Sequence, residues 1–167
     1  MKNKKCFLGD VAEFVMGQAP PGKTCNKNGI GDPFIKAGEF SSNGPIIREW
    51  TTDPKKFAKN GDVLICVVGA TSGKINRGIN CSIGRSVAAI RPNPSHIDSG
   101  YLFYLMKSKV RQLRDKSQGM AQGVITNKML RELNISLPPL YEQQQIAKIL
   151  DIISHLEDLH NKRNLHL

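Results

Sequence analysis

The sequence predicts an α+β protein: a mixed, mostly antiparallel twisted sheet with flanking short helices, followed by a long C-terminal coiled-coil helix. Two observations carry this. Short apolar runs bounded by Gly, Pro and Asn fill the stretch up to Arg91, and from Ser99 the apolar period changes from two to 3.6. Then, from Tyr141 to Leu167, Gly and Pro disappear altogether. The expected division is a body over 1–139 and a helix over 140–167.

Taken in order, Leu8 to Val15 reads as a short helix with Asp10 as N-cap and Gly17 as its stop. Residues 17–33 are rich in Gly, Pro, Lys and Asn and read as a long polar loop. Pro33 to Lys36 is a short strand, 37–44 a second polar loop, and Ile46 and Ile47 begin the next strand. Asn60-Gly61-Asp62 is a turn signal leading into Val63 to Val68, an unbroken apolar run of the kind found in fully buried strands. A glycine turn, Gly69 to Lys74, follows, then strands over Asn80–Ile83 and Ser86–Arg91. Pro92 and Pro94 close the sheet region, because proline cannot donate to a ladder.

The first helix places Leu102, Leu105, Met106, Val110 and Leu113 on one stripe, with Lys107, Lys109, Arg111, Arg114 and Lys116 around the remainder, and ends before Gly119. Thr126 is placed to cap a short helix over 127–133. Asn134 to Leu137 is the last strand and Pro138-Pro139 a stiff elbow. In the terminal stretch Ile146, Ile149, Ile153 and Leu156 follow the alternating three–four spacing of a coiled-coil seam, widened by Leu150, Ile152 and Leu159. Fully helical, these residues would reach about 40 Å. A helix of that length with one apolar stripe calls for a partner helix; the alternative is that it folds back on its own core.

Charge divides along the same boundary. Of 24 basic and 14 acidic residues, residues 141–167 hold three and four. The first 140 therefore carry 21 and ten, a surplus of eleven positive charges. A polyanion suits such a body, since each phosphate neutralised releases counterions; a solvated basic surface is the other reading.

Catalytic patterns fail one by one. The Gly69–Lys74 turn has three residues between its glycines and Ile75 after its lysine, where a P-loop needs four and then Ser or Thr. Asp53-Pro54-Lys55 puts proline inside what a nuclease strand would need for magnesium ligands. His96, His155, His160 and His166 form no i, i+4 ligand pair, and Cys6, Cys25, Cys66 and Cys81 include no C-x-x-C unit, so reduced thiols and no zinc are expected. No cofactor fingerprint is found. No apolar run approaches the roughly 20 residues of a membrane span, and the basic N-terminus lacks a signal peptide's apolar stretch, so the expected location is cytoplasmic.

Three segments together resemble the specificity subunits of type I restriction–modification systems: Leu8-Gly9-Asp10-Val11-Ala12 with Gly17 and Pro20; Gly61 to Ile65 with Gly69 to Lys74; and, most specific, Asn134 through the Pro138-Pro139-Leu140 elbow and Glu142-Gln143 to Leu150. The resemblance implies that the globular part is a target recognition domain reading half of a split sequence in double-stranded DNA. It implies that the long helix is a spacer that docks the modification methyltransferase subunit, while a separate restriction subunit supplies the nuclease and the ATP-driven motor. The chain itself would be non-catalytic. The family's usual member has two recognition domains and two helical regions. With one of each, this chain is expected either to homodimerise as a half-subunit, through Ile146, Ile149, Leu150, Ile153, Leu156 and Leu159, or to be a fragment.

For phosphate contacts the candidates are Lys23, Lys36, Lys74, Arg77 and Arg85, basic residues beside loops or turns. For base edges they are Ser41, Ser42, Asn43, Ser72, Gln118 and Gln122, with Arg77 also able to fork onto a guanine. Solvated surface polarity is the alternative for each of them. Two other classes stay open on sequence: a nuclease or methyltransferase with unrecognised motifs, and a scaffold that binds only protein.

Overall fold

A computed structural model of the chain describes residues 3–119 and 123–164. Its first elements are β1 (Lys4–Phe7), a 3-10 turn over Leu8–Asp10, and β2 (Ala12–Met16). Here the expected helix is corrected. Asp10 does not cap a following helix; its Oδ2 reaches back to accept the Phe7 N–H at 2.8 Å and closes a single turn. The chain then extends, because Ala12 to Met16 pairs residue by residue with the strand over 87–92. Leu8, Val11 and Val15 fit a helical stripe as well as they fit this path, and for so short a run the tertiary ladder decides.

The 17–33 segment is not all loop. It holds a 3-10 turn at Gly22–Thr24, β3 (Cys25–Asn26) and the start of β4 (Asp32–Ile35). Next come β5 (Phe40–Ser41) and β6 (Gly44–Pro45), a tight hairpin in which Gly44 takes φ +111. Ile46 and Ile47 do not begin a strand. They stand exposed beyond it, and the chain becomes extended again at β7 (Trp50–Thr51). Then follow β8 (Phe57–Ala58), β9 (Val63–Cys66), β10 (Ile75–Arg77), β11 (Cys81–Ile83) and β12 (Val87–Pro92). The helices are α1 (Ser99–Gln118), α2 (Asn127–Arg131) and, after β13 (Asn134–Leu137), α3 (Leu140–Asn164).

A four-stranded antiparallel sheet, ordered β10-β9-β12-β2, forms the centre. Its alternating side chains feed two cores. Val63, Ile65, Val67, Ala88 and Ile90 meet Leu102, Met106 and Leu113 of α1 and Met129 and Leu130 of α2. Leu64, Cys66, Val87 and Ala89 meet Ile35, Ala58, Cys81 and Ile83 of the second sheet. The unbroken apolar run of β9 follows from this, since both of its faces are covered. The second sheet runs β3-β7-β4-β11-β8, with β4 and β11 parallel and its other described pairings antiparallel.

Two polar devices fix the ends of these elements. Asp62, after the turn at Gly61 (φ +92), accepts the Lys59 N–H at 2.8 Å, and Arg91 forks onto it at 3.0 and 2.8 Å. Thr126 caps α2 as expected, its Oγ1 accepting the Met129 N–H at 3.2 Å. The last strand, β13, pairs antiparallel with β1, so the two ends of the body close on each other. From there the Pro138-Pro139 elbow delivers the chain into α3, whose 25 residues extend about 37 Å.

Candidate nucleic-acid interface

The turn between β9 and β10 is shaped by two glycines in the left-handed region, Gly69 (φ +72) and Gly73 (φ +84). It is pressed against α1: a Cβ on Gly73 would sit 2.8 Å from both Arg114 Nε and Val110 Cγ1. Arg114 Nε donates to the Ser72 carbonyl at 2.7 Å, which locks the turn to the helix. Lys74 ends the turn exposed, whereas Ser72 is buried and its hydroxyl has no partner among the described residues.

Beside this turn stands the β5–β6 hairpin. Ser41 Oγ donates across it to the Gly44 carbonyl at 2.7 Å and accepts the Asn43 N–H at 3.3 Å. From β10, buried Asn76 donates through Nδ2 to the Ser41 carbonyl at 2.9 Å, so the hairpin rides on the central sheet. Ser42 and Asn43 are left exposed at its tip. Ser41, Ser42 and Lys74 line one hollow, and Ser72, Arg114 and Gln118 line another with Gly69.

The α1 helix adds a basic stripe to this surface. Lys107, Arg111, Arg114 and Gln118 are spaced four, three and four apart, which places them on one stripe of α1, and all four are exposed. Lys107 shares a cleft of about 620 Å³ with Ser42, Asn43 and Arg77, while Arg114 and Gln118 flank the glycine turn. A basic ridge therefore runs between the two loops.

The other expected contacts separate into free and occupied residues. Lys23 is exposed on the Gly22–Thr24 turn, and Arg85 is exposed between β11 and β12. Lys36 is paired with Glu49 at 2.5 Å and lies 5.4 Å from the centre of the Phe34 ring. The hydrogen bond it donates to Glu49 raises its pKa above the ordinary lysine value. Arg77 is ion-paired with Asp151 of α3, and its guanidinium stacks 4.3 Å from the centre of the Phe103 ring. Gln122 falls outside the described residues.

On α3 the seam is uncovered: Ile146, Ile149, Ile153, Leu156 and Leu159 are 38, 57, 46, 58 and 50% exposed, with Leu150 half-buried. The opposite stripe faces the body. Gln143 is 1% exposed; its Nε2 donates to the carbonyls of His96 (3.1 Å) and Pro138 (3.0 Å), and its Oε1 accepts the Asp98 N–H at 2.9 Å. The cleft wall that α3 contributes is acidic, with Asp151, Glu157 and Asp158.

Among the described residues no group of three His, Cys, Asp or Glu side chains could hold a metal ion. The four cysteines are free; burial pushes the Cys66 thiol up to about 11 and the Cys81 thiol to about 12, well away from a nucleophile's range. No described helix is long and apolar enough to cross a membrane.

A body with a polar loop surface and a basic stripe on α1 is thus joined to a long helix with an uncovered apolar seam. The chain belongs to the type I restriction modification DNA specificity domain family, which matches it over residues 2–167. It is 34% identical over 162 residues to a Methanocaldococcus jannaschii protein named type I restriction enzyme MjaX specificity subunit, across 96% of this chain and 37% of that one. Among solved structures, the HsdS subunit from Thermoanaerobacter tengcongensis superposes with a TM-score of 0.81 at 34% identity, over 98% of this chain and 40% of that one. A chain from a study of complex assembly and conformational transition of the type I restriction–modification system reaches 0.85 at 35% identity, over 99% of this chain and 41% of that one. The chain thus spans about two fifths of the length of these relatives.

Proposed function

We propose that this chain reads one half of a split DNA target and delivers a modification methyltransferase subunit, and through the assembled complex a restriction subunit, to that site. The body (1–139) is the recognition domain and 140–167 the spacer and docking helix. The chain contributes binding rather than chemistry. The observation that supports this best is the join itself: a basic ridge and exposed loop tips on the body, and on α3 an uncovered seam with Ile149 57% and Leu156 58% exposed. Two copies pairing along that seam would be related by a two-fold axis and would read an inverted repeat.

Within this reading, Lys74, Lys23, Arg85, Lys107 and Arg111 are the phosphate contacts, and Ser42, Asn43 and Gln118 reach base edges. Lys36 and Arg77 drop out of the phosphate set because each already faces a carboxylate. Ser72 drops out of the base-reading set because it is buried. The acidic α3 wall keeps phosphates toward the hairpin and α1 side of the cleft.

The test is selection from a library of random duplexes with the purified chain, followed by sedimentation of the free protein. Enrichment of a split, inverted-repeat sequence by a dimer is expected. Salt-insensitive binding, or none at all, sinks the DNA reading and leaves a protein-only scaffold. Enrichment of a single unsplit half-site by a monomer removes the homodimer alone.

A further inference from the structure

Gln143, Ala147 and Asp151 of α3 are four residues apart and form a stripe that meets the body. Gln143 is fastened by its three hydrogen bonds, and Ala147 is buried against Gly100, where an added Cβ would come within 3.1 Å of it. These two anchors are only about 6 Å apart along the axis, a short base for a long lever. Play of about 1 Å over that base tilts the helix by roughly 10°. At Asn164, roughly 30 Å away, the displacement is about 5 Å, more than the ~3.4 Å rise of one base pair. A third anchor at Asp151 doubles the base and halves the tilt.

That third anchor is built from two other elements. Arg77 of β10 ion-pairs with Asp151, and Tyr104 of α1 donates its hydroxyl to Asp151 Oδ1 at 2.7 Å. The Arg77 guanidinium lies 4.3 Å from the centre of the Phe103 ring and 5.6 Å from that of Tyr104, contacts that restrict where its fork can go. Its neighbour on β10, Asn76, holds the hairpin whose tip carries Ser42 and Asn43. One three-residue strand therefore grips the reading hairpin with one residue and the long helix with the next.

We propose that Arg77 and Asp151, braced by Tyr104, form a latch that sets the angle of α3 against the recognition body and so selects the number of base pairs between the two half-sites. This rests on the reading above, in which paired copies bind a split site. Arg77 and Asp151 are positioning residues here, since the latch acts through the direction of the helix and touches no base.

The full chain would be presented with duplexes carrying the two selected half-sites around spacers that vary by single base pairs. The wild type is expected to enrich one spacer length. Asp151→Asn and Arg77→Leu should each broaden the accepted set by about one to two base pairs, a tilt-sized displacement, with the half-site bases unchanged. Tyr104→Phe, which keeps the ion pair and removes one hydrogen bond from Asp151, should broaden it less than either. The Arg77 and Asp151 side chains are about half exposed (47 and 52%), so the variants are expected to fold, with thermal midpoints within about 3 °C of wild type. Variants that fold and keep the single wild-type spacer overturn the latch alone, as do variants whose half-site bases change. A wild type that enriches no split duplex overturns the recognition reading, and the spacing role with it.

Discussion

Gln143 and Asp98 are joined across the elbow: the buried amide Oε1 of Gln143 accepts the Asp98 N–H at 2.9 Å, while Asp98 itself caps α1 by accepting the Tyr101 N–H at 2.9 Å. The starts of α1 and α3 are thus bound through one pair of residues. With Nε2 occupied by two carbonyls, every strong bond of this buried amide is made inside the protein.

Removing that amide should therefore be costly. Gln143→Leu leaves an N–H and two carbonyls without their partner, a loss of about 2–4 kcal/mol. For a chain of this length that corresponds to a fall of roughly 5–15 °C in thermal midpoint. Circular dichroism melts would check it; a shift below about 2 °C would mean the elbow is held by its prolines alone.

Two loop residues separate positioning from reading. Lys74→Ala is expected to weaken binding to all duplexes by a similar factor and to lower the salt slope by about one. Asn43→Ala should leave the salt slope alone and relax the choice of base at one position. Titrations at several salt concentrations, with cognate and substituted duplexes, distinguish them. Equal loss of specificity in both variants would place the reading face elsewhere.

The seam can be tested independently of DNA. Ile149 and Ile153 are 57 and 46% exposed in the isolated chain, so Ile149→Asp with Ile153→Asp should leave the fold intact. Buried charge at paired seam positions should weaken self-association by at least about 100-fold, because neither carboxylate would find a partner there. Analytical ultracentrifugation reads this directly, and an unchanged dimer fraction would remove α3 as the interface.

The two buried thiols predict an alkaline limit. Their folded pKa values, about 11 for Cys66 and about 12 for Cys81, lie above the ordinary 9.0 because burial disfavours the thiolate. The unfolded chain loses these protons first, so the contribution to stability is complete below about pH 9 and is lost as pH rises through the folded values. The slope is about 1.4 kcal/mol per pH unit for each thiol. Denaturant midpoints from pH 8 to 11 should fall more steeply in the wild type than in Cys81→Ala. Parallel curves would show that Cys81 ionises freely in the fold.

What was legible in the sequence was local. The unbroken apolar run at Val63, the 3.6 period from Ser99, the Thr126 cap and the Pro138-Pro139 elbow each depend on neighbours within a few residues, and each stands as expected. The misreadings at Leu8–Val15 and Ile46–Ile47 arose where a short run suits two conformations and a distant strand chooses between them. The stripe Lys107, Arg111, Arg114 and Gln118 is set by the spacing along α1, whereas its position beside the hairpin and the glycine turn is set by the packing of α1 on the sheet.

By itself the sequence determined an α+β body, its positive charge and a long helix with one apolar stripe, because periodicity and composition are properties of the chain read along its length. Which polar groups are free to meet a partner was decided by the tertiary structure. Lys36 faces Glu49, Ser72 is buried against α1, and Arg77 grips Asp151, 74 residues further along the chain. Such pairings depend on where the sheet and the elbow carry the backbone in space, and a charge already opposite a carboxylate must give up that partner before it can bind a phosphate.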